Sequence, residues 1–374
     1  MTPHGAIPTP AFVGVATLGT LKSVPCELLP KGIPPAVIVN TYHLYLRPGS
    51  EVLRRAGGIH RFMGWSGPVL SDSGGFQVFS LGAAFGKNLT KVAREDIDAM
   101  RHERAPAVYD PEVLTQHGRL AIIDDEGVSF TSHLDGSFHR FTPERAIEIQ
   151  HDIGADIIFA FDECTAATAP LVYQREALAR THAWAERSLR AHRRNTDASR
   201  TQALFGIVQG GRHEDLRRES ARVLGAMPFD GYGIGGSYVK EDLDTAVGWV
   251  CEELPEDKPR HLLGIGEPED LLRGIDQGVD LFDCVQPTRL GRTGVVYTRE
   301  GKINLLNERF RNDYTPPDAH CACLVCATHT RAYLAHLFHA REMAAATYAS
   351  LHNLFFLHTL VAQRREALIA RARA

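Results

Sequence analysis

Eight short apolar segments, most of them separated by helix-forming stretches, constrain the fold of this chain more than any other feature. The segments cover residues 11–17, 36–40, 69–72, 156–162, 204–209, 231–236, 261–266 and 281–284. They are continuously apolar rather than alternating, which is typical of parallel strands buried on both faces. Repeated strand–helix units in this number predict an α/β fold, a (β/α)8 TIM barrel, and an open doubly wound sheet is the alternative.

Helix signals separate the later segments. Thr142, Pro143 and Glu144 place a capping residue, a proline and an acid at the start of one helix, which we expect to end before Gly154. Further predicted helices cover residues 171–194, 213–225, 240–254 and 268–278. Helices in these positions supply the crossover connections that parallel strands require.

Two regions depart from this alternation and suggest how the chain is organised. The charged connection between residues 80 and 127 predicts a long insertion, near residues 82–125, with one amphipathic helix. The eight strands are complete by Leu290, so we assign residues 1–290 to the barrel. We expect residues 291–374 to form a smaller subdomain, which carries a cysteine cluster and helices packed on the barrel.

Composition and charge exclude several classes of protein. Apolar residues make up 44% and charged residues 23% of the 374 residues, which excludes a disordered or fibrous chain. The 41 basic and 45 acidic residues give a net charge of −4, so a nucleic acid would need a local basic patch. No apolar run approaches the about 18 residues of a membrane span. The N-terminus has no secretion-signal pattern, so we expect a cytoplasmic protein without a membrane association.

Polar residues and glycines follow the predicted strands, where a barrel places its active site. Asp72, Asp162 and Asp283 end three strands, Gln209 ends a fourth, and Gly-Gly pairs follow the third, fifth and sixth. Each aspartate alone is simply explained as a helix cap or turn residue. Their convergence on one rim, beside glycines that let a ligand approach the backbone, favours a functional site.

This set of side chains suits chemistry at a glycosidic bond. One carboxylate can act as the nucleophile while a second manages protons. A third carboxylate, with an amide and a backbone N–H, can read the edge of a purine, and Phe76 offers a stacking face. The spacing alone does not assign these roles.

A cysteine cluster near the C-terminus indicates a metal site. Cys321, Cys323 and Cys326 form a Cys-x-Cys-x-x-Cys pattern, and the other four cysteines are isolated, so a disulfide framework is not indicated. A structural zinc ion takes four nitrogen or sulfur ligands. The candidates for the fourth ligand are His320, His329, His336, His339 and His352. The alternative is a reduced loop without metal.

Basic residues concentrate just beyond the last predicted strand. Residues 281–311 contain six basic and three acidic residues, and Arg289 and Arg292 come soon after Asp283. Arginines beside the rim can bind phosphates or single-stranded bases. The alternative is a solvated charged surface.

Six motifs occur in order along nearly the whole chain, apart from the insertion. They are Ser71-Asp-Ser-Gly-Gly-Phe-Gln77, Ser132-His-Leu-Asp-Gly136, Phe161-Asp-Glu-Cys164, Gly206-Ile-Val-Gln-Gly-Gly211, Phe282-Asp-Cys-Val-Gln-Pro-Thr-Arg289, and the cysteine cluster followed by His352-Asn353. Together they resemble the motifs of bacterial tRNA-guanine transglycosylases, also called queuine tRNA-ribosyltransferases. The resemblance implies an irregular (β/α)8 barrel with a C-terminal zinc-binding subdomain.

The resemblance also implies a reaction. Family members exchange the wobble guanine of tRNAs with G-U-N anticodons for a 7-deazaguanine, in bacteria usually 7-aminomethyl-7-deazaguanine, in queuosine biosynthesis. Asp283 matches the nucleophile that attacks the ribose C1′, and Asp72 matches the acid–base residue. Two displacements retain the anomeric configuration. Family members are commonly homodimers.

The matched positions give three further sets of expected site residues. The substrate-binding set is Ser73, Gly74, Gly75, Phe76, Asp162, Gln209, Gly236 and Leu263. The RNA-binding set is Gly264, Ile265, Gly266, Glu267, Pro268, Glu269, Asp270, Thr288, Arg289, Leu290, Gly291 and Arg292. The zinc-binding set, which holds one structural Zn²⁺ per chain, is Cys321, Cys323, Cys326 and His352.

One loop departs from the family pattern and leaves the incoming base open. Bacterial members typically have Gly-Gly-Leu-Ala-Val-Gly-Glu where residues 235–241 read Gly-Gly-Ser-Tyr-Val-Lys-Glu. Val239 and Cys164 agree with the pattern for a small 7-substituent, whereas Ser237, Tyr238 and Lys240 do not. Direct incorporation of queuine is therefore the alternative.

Two functions of other classes also fit parts of the sequence. Gly231-x-Gly-x-x-Gly236 has the spacing of a dinucleotide fingerprint, but it lies inside a predicted strand, and the next helix begins only near residue 240. A non-catalytic, zinc-bearing tRNA-binding subunit is the second alternative. The presence of both Asp72 and Asp283 favours an enzyme.

Overall fold

Eight parallel strands close a barrel in this computed structural model, which describes residues 1–78, 92–93, 121–167, 169–236, 238–239 and 242–373. The barrel strands are β1 (Ala11–Val15), β2 (Val37–Val39), β3 (Val69–Ser71), β4 (Ile157–Phe159), β5 (Ala203–Val208), β6 (Gly231–Ile234), β7 (Arg260–Leu262) and β8 (Leu281–Cys284). Each strand pairs with its neighbours in chain order, and β8 pairs with β1 to close the barrel. The barrel is confirmed over an open sheet.

Smaller sheets lie outside the barrel. Strands Ala121–Asp124, Gly127–Thr131 and Phe138–Phe141 form a three-stranded antiparallel sheet. Strands Val295–Thr298 and Gly301–Asn304 form an antiparallel pair, and Val92–Ala93 pairs with Tyr238–Val239 in parallel. The last residues of the predicted insertion therefore form a strand. The predicted amphipathic helix lies outside the described residues.

The helices agree closely with their sequence signals. Their bounds are Thr41–Leu46, Ser50–Arg55, Ile59–Met63, Pro143–Ile153, Leu171–Arg194, Ala198–Thr201, Glu214–Gly225, Leu243–Glu253, Pro268–Asp276, Gln286–Arg292, Leu324–Thr328, Arg331–His339 and Met343–Arg373, with 3-10 turns at Cys26–Leu28 and Glu308–Phe310. Within the described residues, none of these helices has a stretch long and apolar enough to cross a membrane.

The helix Pro143–Ile153 shows why the local signals were reliable. The Thr142 hydroxyl accepts a hydrogen bond from the backbone N–H of Arg145 at 3.2 Å, and Pro143 occupies the first turn. Gly154 ends the helix in the left-handed region, with φ 72°. A capping hydroxyl satisfies one of the free N–H groups of the first turn, and glycine adopts a positive φ at little cost.

Strand side chains alternate between two cores. Ala11, Val13, Ile38, Phe159 and Ile207 belong to a small cluster of buried residues drawn from the strands. The side chains that alternate with them join the large core beneath the helices. A barrel interior filled in this way leaves no through-channel, so a ligand binds at the rim.

The C-terminal helix Met343–Arg373 packs on Gln286–Arg292, the short helix after β8. Asn353, fully buried, donates from Nδ2 to the carbonyl oxygens of Pro287 and Val295, both at 3.0 Å. At Gly291 a Cβ atom would lie 2.6 Å from the backbone nitrogen of Ser350. These contacts join the C-terminal elements to the end of the barrel that carries Asp283. The division into two domains remains a prediction.

Candidate active site

A cavity of about 680 Å³ opens at the carboxyl ends of the barrel strands. Asp72 follows β3, Asp162 follows β4, Gln209 follows β5, and Asp283 lies in β8; all four line this cavity. The predicted convergence of three carboxylates and an amide on one rim is therefore observed. Residues 72 and 283, which are far apart in sequence, share one pocket.

Most of the expected substrate-binding residues line the cavity. They are Ser73, Gly74, Phe76, Asp162, Gln209, Gly236 and Leu263. Gly75 instead lies buried beside it, where a Cβ atom would come within 2.7 Å of the carbonyl oxygen of Asp162. The glycine at this position is required by close packing between the ends of β3 and β4.

The carboxylate of Asp72 is held by donors from two segments. Its Oδ1 accepts hydrogen bonds from the backbone N–H groups of Thr41, at 2.8 Å, and Gly74, at 3.1 Å. Asn40 donates to Oδ2 and also caps the helix Thr41–Leu46 by accepting from the N–H of His43. Our sequence reasoning missed Asn40. Its position as the last residue of the second apolar segment was the available signal.

The carboxylate of Asp283 is approached from β7 and the turn after it. His261 Nε2 lies 3.0 Å from Oδ1, and the backbone N–H of Gly264 donates to the same oxygen at 3.1 Å. His261 is fully buried. Sequence reasoning missed this residue too, although a histidine in an otherwise apolar strand was a usable signal.

Asp162 lines the same cavity and is the centre of a buried polar group. Its Oδ1 accepts from the hydroxyl of Ser73 at 2.9 Å, and its Oδ2 accepts from Gln209 Nε2 at 2.6 Å. The backbone N–H of Gln209 donates to the hydroxyl of Ser220 at 3.2 Å. The Oε1 atom of Gln209 is buried and has no hydrogen-bond partner among the described residues. A buried acceptor of this kind is costly unless a ligand supplies a donor or the amide reorients.

Arg217, in the helix Glu214–Gly225, makes hydrogen bonds to the backbone of two glycine turns at the rim. It is fully buried, and it donates from Nε to the carbonyl oxygen of Gly211 at 2.9 Å and from Nη1 to that of Gly235 at 2.7 Å. A Cβ atom at Gly236, where φ is 118°, would lie 2.3 Å from Nη2 of this arginine. Gly236 is thus required for both conformation and space. Nothing in our sequence reasoning identified Arg217.

The expected RNA-binding residues divide by exposure. Gly264, Glu267, Asp270, Arg289 and Leu290 line the cavity. Glu269 and Arg292 are exposed, and Pro268 is half-buried. Ile265, Gly266, Thr288 and Gly291 are buried. Glu267 accepts hydrogen bonds from Gln286 Nε2 at 2.5 Å and Lys302 Nζ at 2.6 Å, which joins the turn after β7 to the helix Gln286–Arg292 and the strand Gly301–Asn304.

The cysteine cluster and one histidine form a four-ligand group. One ligand atom from each of Cys321, Cys323, Cys326 and His352 lies within 4.8 Å of the others. His352 Nδ1 is 3.4 Å from Cys323 Sγ and 3.3 Å from Cys326 Sγ. A tetrahedral zinc ion with Zn–S of about 2.3 Å and Zn–N of about 2.0 Å needs S···N separations of about 3.5 Å. The residues present therefore fit a closed structural metal site.

A hydrogen bond from the Nε2 atom of His352 sets the tautomer of this ring. Its Nε2 lies 2.7 Å from the carbonyl oxygen of Tyr297, so this nitrogen carries the proton and Nδ1 presents its lone pair to the thiols. Hydrogen bonds from Cys321 and Cys326 lower the pKa of the Cys323 thiol, whereas Cys321 and Cys323 raise the pKa of the Cys326 thiol. A cation bound between these sulfurs would hold them as thiolates.

A second group of histidines and a carboxylate is built differently. His4 Nδ1 lies 2.7 Å from one oxygen of Asp156, and His60 Nε2 lies 3.1 Å from the other. The two imidazole rings stack with centroids 3.6 Å apart and planes 14° apart. An imidazole nitrogen binds a metal ion with a lone pair that lies in the plane of its ring. Two nearly parallel rings stacked at this distance do not direct their lone pairs at one point. We therefore interpret this group as a structural contact at the amino end of β4.

Comparisons with known proteins agree with the motifs. The family profile described as "Queuine tRNA-ribosyltransferase" matches residues 1–112 and 107–372. Among curated proteins of that name, the one from Thermoanaerobacter pseudethanolicus is 45% identical over 370 residues, which are 98% of this chain and 88% of the relative. The protein from Caldanaerobacter subterraneus is 44% identical over the same shares, and that from Streptococcus pneumoniae strain P1031 is 43% identical over 99% of this chain and 87% of its own.

Proposed function

The chain belongs to the queuine tRNA-ribosyltransferase family and is thus a tRNA-guanine transglycosylase, and we propose that it exchanges the wobble guanine of G-U-N anticodon tRNAs for a 7-deazaguanine. The reaction makes it a pentosyltransferase. The observation that carries the proposal is that Asp72 and Asp283 line one cavity together with the purine-reading pair Asp162 and Gln209.

The proposed first step is attack by an Asp283 carboxylate oxygen on C1′ of the ribose. The C1′–N9 bond breaks, and guanine leaves with a proton that Asp72 supplies. The product of this step is a covalent ribosyl-aspartate ester. Covalent catalysis of this kind divides one difficult substitution into two easier ones.

The second step reverses the first with a different base. Asp72 accepts the N9 proton of the incoming 7-deazaguanine, N9 attacks C1′, and the ester bond breaks to regenerate the Asp283 carboxylate. Two inversions give net retention. Asp72 is suited to this role because Asn40 and two backbone N–H groups fix its orientation while its side chain borders the cavity.

Recognition of the base follows from the donor and acceptor groups of the rim. The carboxylate of Asp162 can accept from the N1–H and 2-amino groups of guanine, which adenine does not offer. Gln209 and the backbone N–H of Gly236 are the proposed donors to O6. Phe76 and Leu263, which both line the cavity, are the proposed stacking faces.

We assign a structural zinc ion to the group of Cys321, Cys323, Cys326 and His352. Bound there, the ion would neutralise the clustered thiolates and add to the folding free energy. Four protein ligands leave no position for a water molecule, so this site takes no part in the exchange.

The proposed partners are tRNA and a second copy of the chain. Arg289, exposed at the mouth of the cavity, and Arg292 are the proposed readers of the bases that flank the flipped guanosine. A homodimer is proposed from the family resemblance, and the cytoplasm is the proposed compartment because tRNA is the substrate.

The incoming base is proposed to be 7-aminomethyl-7-deazaguanine, with queuine as the alternative. Ser237 and Lys240 lie outside the described residues, and Tyr238 is described only as part of a short strand. Competition among guanine, 7-aminomethyl-7-deazaguanine and queuine for incorporation into one tRNA decides between them. Preferential incorporation of queuine would replace the proposed base.

Exchange of radiolabelled guanine into tRNA tests the function itself. We expect the wild-type protein to incorporate label and to form a covalent tRNA adduct that survives a denaturing gel. Asp283→Asn should lose both and still bind tRNA, because the change removes the nucleophile and keeps the shape. Undiminished incorporation by Asp283→Asn would refute the nucleophile. A wild type that binds tRNA without exchanging the base would be the non-catalytic binding subunit.

A further inference from the structure

A fully buried histidine contacts the proposed nucleophile from inside the barrel. His261 lies in β7, next to β8, and its Nε2 is 3.0 Å from Oδ1 of Asp283. The backbone N–H of Gly264 donates to the same oxygen at 3.1 Å. One carboxylate oxygen is therefore held by two donors that approach from the same neighbouring strand and its turn.

The surroundings of His261 decide which ring nitrogen serves as the donor. Its Nδ1 is buried and has no hydrogen-bond partner among the residues the structure describes. Phe159 lies against the ring edge-on, with centroids 5.7 Å apart. A proton on Nδ1 would be buried without an acceptor, which costs free energy. A proton on Nε2 satisfies the one polar contact that is present.

A donor at this position controls the direction in which the nucleophile points. A carboxylate rotates about its Cβ–Cγ bond, and two hydrogen bonds to one oxygen restrict that rotation. Attack on C1′ requires an oxygen aligned with the departing base, and a misplacement of about 1 Å costs about 100-fold in rate. Because both donors are buried or backbone groups, they are in place before the substrate binds.

We propose that His261, as an Nε2–H donor, is a positioning residue that holds the Asp283 carboxylate in its attacking orientation. This inference rests on the proposed function, in which Asp283 forms the covalent bond. His261 itself touches neither the ribose nor the base in this assignment. It acts on the formation and breakdown of the ester, and the affinity for tRNA does not depend on it.

The test compares two variants with a matched control. His261→Phe keeps an aromatic ring and removes the donor, and His261→Gln keeps an N–H near the position of Nε2. His151→Phe is the control, because this partly buried histidine contacts His192 and lies near the end of the helix Pro143–Ile153. For each protein we would measure the unfolding temperature, tRNA affinity, kcat and KM for guanine exchange, and the single-turnover rate of adduct formation.

We expect His261→Phe to lower kcat and the adduct rate by about 100-fold, with tRNA affinity and the KM for guanine unchanged. His261→Gln should recover at least about tenfold of that loss, and His151→Phe should keep wild-type rates. A wild-type adduct rate in His261→Phe would overturn the inference. So would equal losses in the Phe and Gln variants at equal stability.

A spectroscopic measurement keeps the inference testable if His261→Phe does not fold. In ¹⁵N-histidine-labelled protein, the resonances absent from His261→Gln identify this ring, and we expect them to report the Nε2–H tautomer. An Nδ1–H tautomer would overturn the inference. An adduct in Asp283→Asn would overturn the proposed function instead, so the two failures are distinguishable.

Discussion

Gln209 donates a hydrogen bond from Nε2 to Oδ2 of Asp162 across 2.6 Å, at the ends of two adjacent barrel strands. Both side chains are buried, at 4% and 5% exposure, and both line the cavity. The pair therefore forms a fixed polar edge in which a carboxylate acceptor and an amide stand side by side. The purine edge proposed to bind here has complementary donors and acceptors.

Gln209→Glu tests this edge. The change places a second carboxylate within hydrogen-bond distance of Asp162, and two like charges in a buried site favour protonation of one of them. We expect the KM for guanine to rise by at least about tenfold, a cost of about 1.4 kcal/mol, with tRNA affinity unchanged. Steady-state exchange at several guanine concentrations measures this. An unaltered KM would remove Gln209 from the base-binding edge.

Cys323→Ser tests the metal site. A hydroxyl is a poor zinc ligand, and loss of a structural metal removes the folding energy it supplies. We expect the variant to lose bound zinc, measured by elemental analysis, and to unfold at a lower temperature. Cys251→Ala is the control, because this buried cysteine lies in the helix Leu243–Glu253, outside the ligand group. Equal melting temperatures for wild type and Cys323→Ser, with no metal in either, would contradict the assignment.

Arg289→Ala tests tRNA selection. The side chain is exposed at the mouth of the cavity, so its removal leaves the buried edge intact. We expect discrimination between G-U-N and other anticodons to fall by about 1–3 kcal/mol, the worth of a good bidentate arginine–base contact. Exchange with excess guanine into the correct tRNA should fall less. Arg299→Ala, on an exposed turn between two strands, is the matched control. The same loss on every tRNA would assign Arg289 to phosphate binding.

The ion pair of Glu144 with Arg187 gives a prediction about pH. Hydrogen bonds from Arg187 at 2.8 Å lower the pKa of the Glu144 carboxyl to about 2, against the opposing effect of burial. The folded pKa lies below the unfolded value of about 4.3, so the stabilisation is complete above that pH. It is lost as the pH falls toward about 2.

Glu144→Gln measures that contribution. Because the carboxylate is about one-third exposed, we expect the free energy of unfolding at pH 7 to fall by only about 1 kcal/mol. The difference from wild type should shrink as the pH falls from about 4.5 to about 2, because the unfolded-state carboxyl takes up its proton in this interval while the native carboxylate stays mostly ionised. Urea unfolding across this range provides the measurement, and Glu148→Gln, on the same helix and 61% exposed, is the control. A difference as large at pH 2 as at pH 7 would exclude the ion pair as its source.

Local chemistry made several elements predictable. The helix Leu171–Arg194 has the bounds that its pattern indicated, and Thr142 with Gly154 bounds another helix through contacts within a few residues of chain. Such signals depend on neighbouring residues only, so no tertiary information is needed. The insertion shows the limit, because its charged pattern gave no indication that Ala121–Asp124 forms a strand paired with Gly127–Thr131.

The supporting residues of the site could not be assigned in the same way. His261 and Arg217 hydrogen-bond to residues at the ends of other strands. The sequence around each of them does not indicate which residue will be its partner. Asn40 is similar, since its contact with Asp72 joins the ends of β2 and β3. Pairing across a barrel determines these contacts, and the pairing is a property of the closed sheet.

By itself the sequence determined the eight strands, their carboxyl-end aspartates and the cysteine pattern, because strand hydrophobicity and ligand spacing depend only on residues close together in the chain. It also placed Asp72 and Asp283 on the same rim as soon as a barrel was assumed. Ligand spacing alone left five histidines open as the fourth ligand, and the family resemblance pointed to His352. The tertiary structure brings His352 to the three cysteines and decides which donors hold each carboxylate. Those choices depend on distances between segments that meet only when the barrel closes.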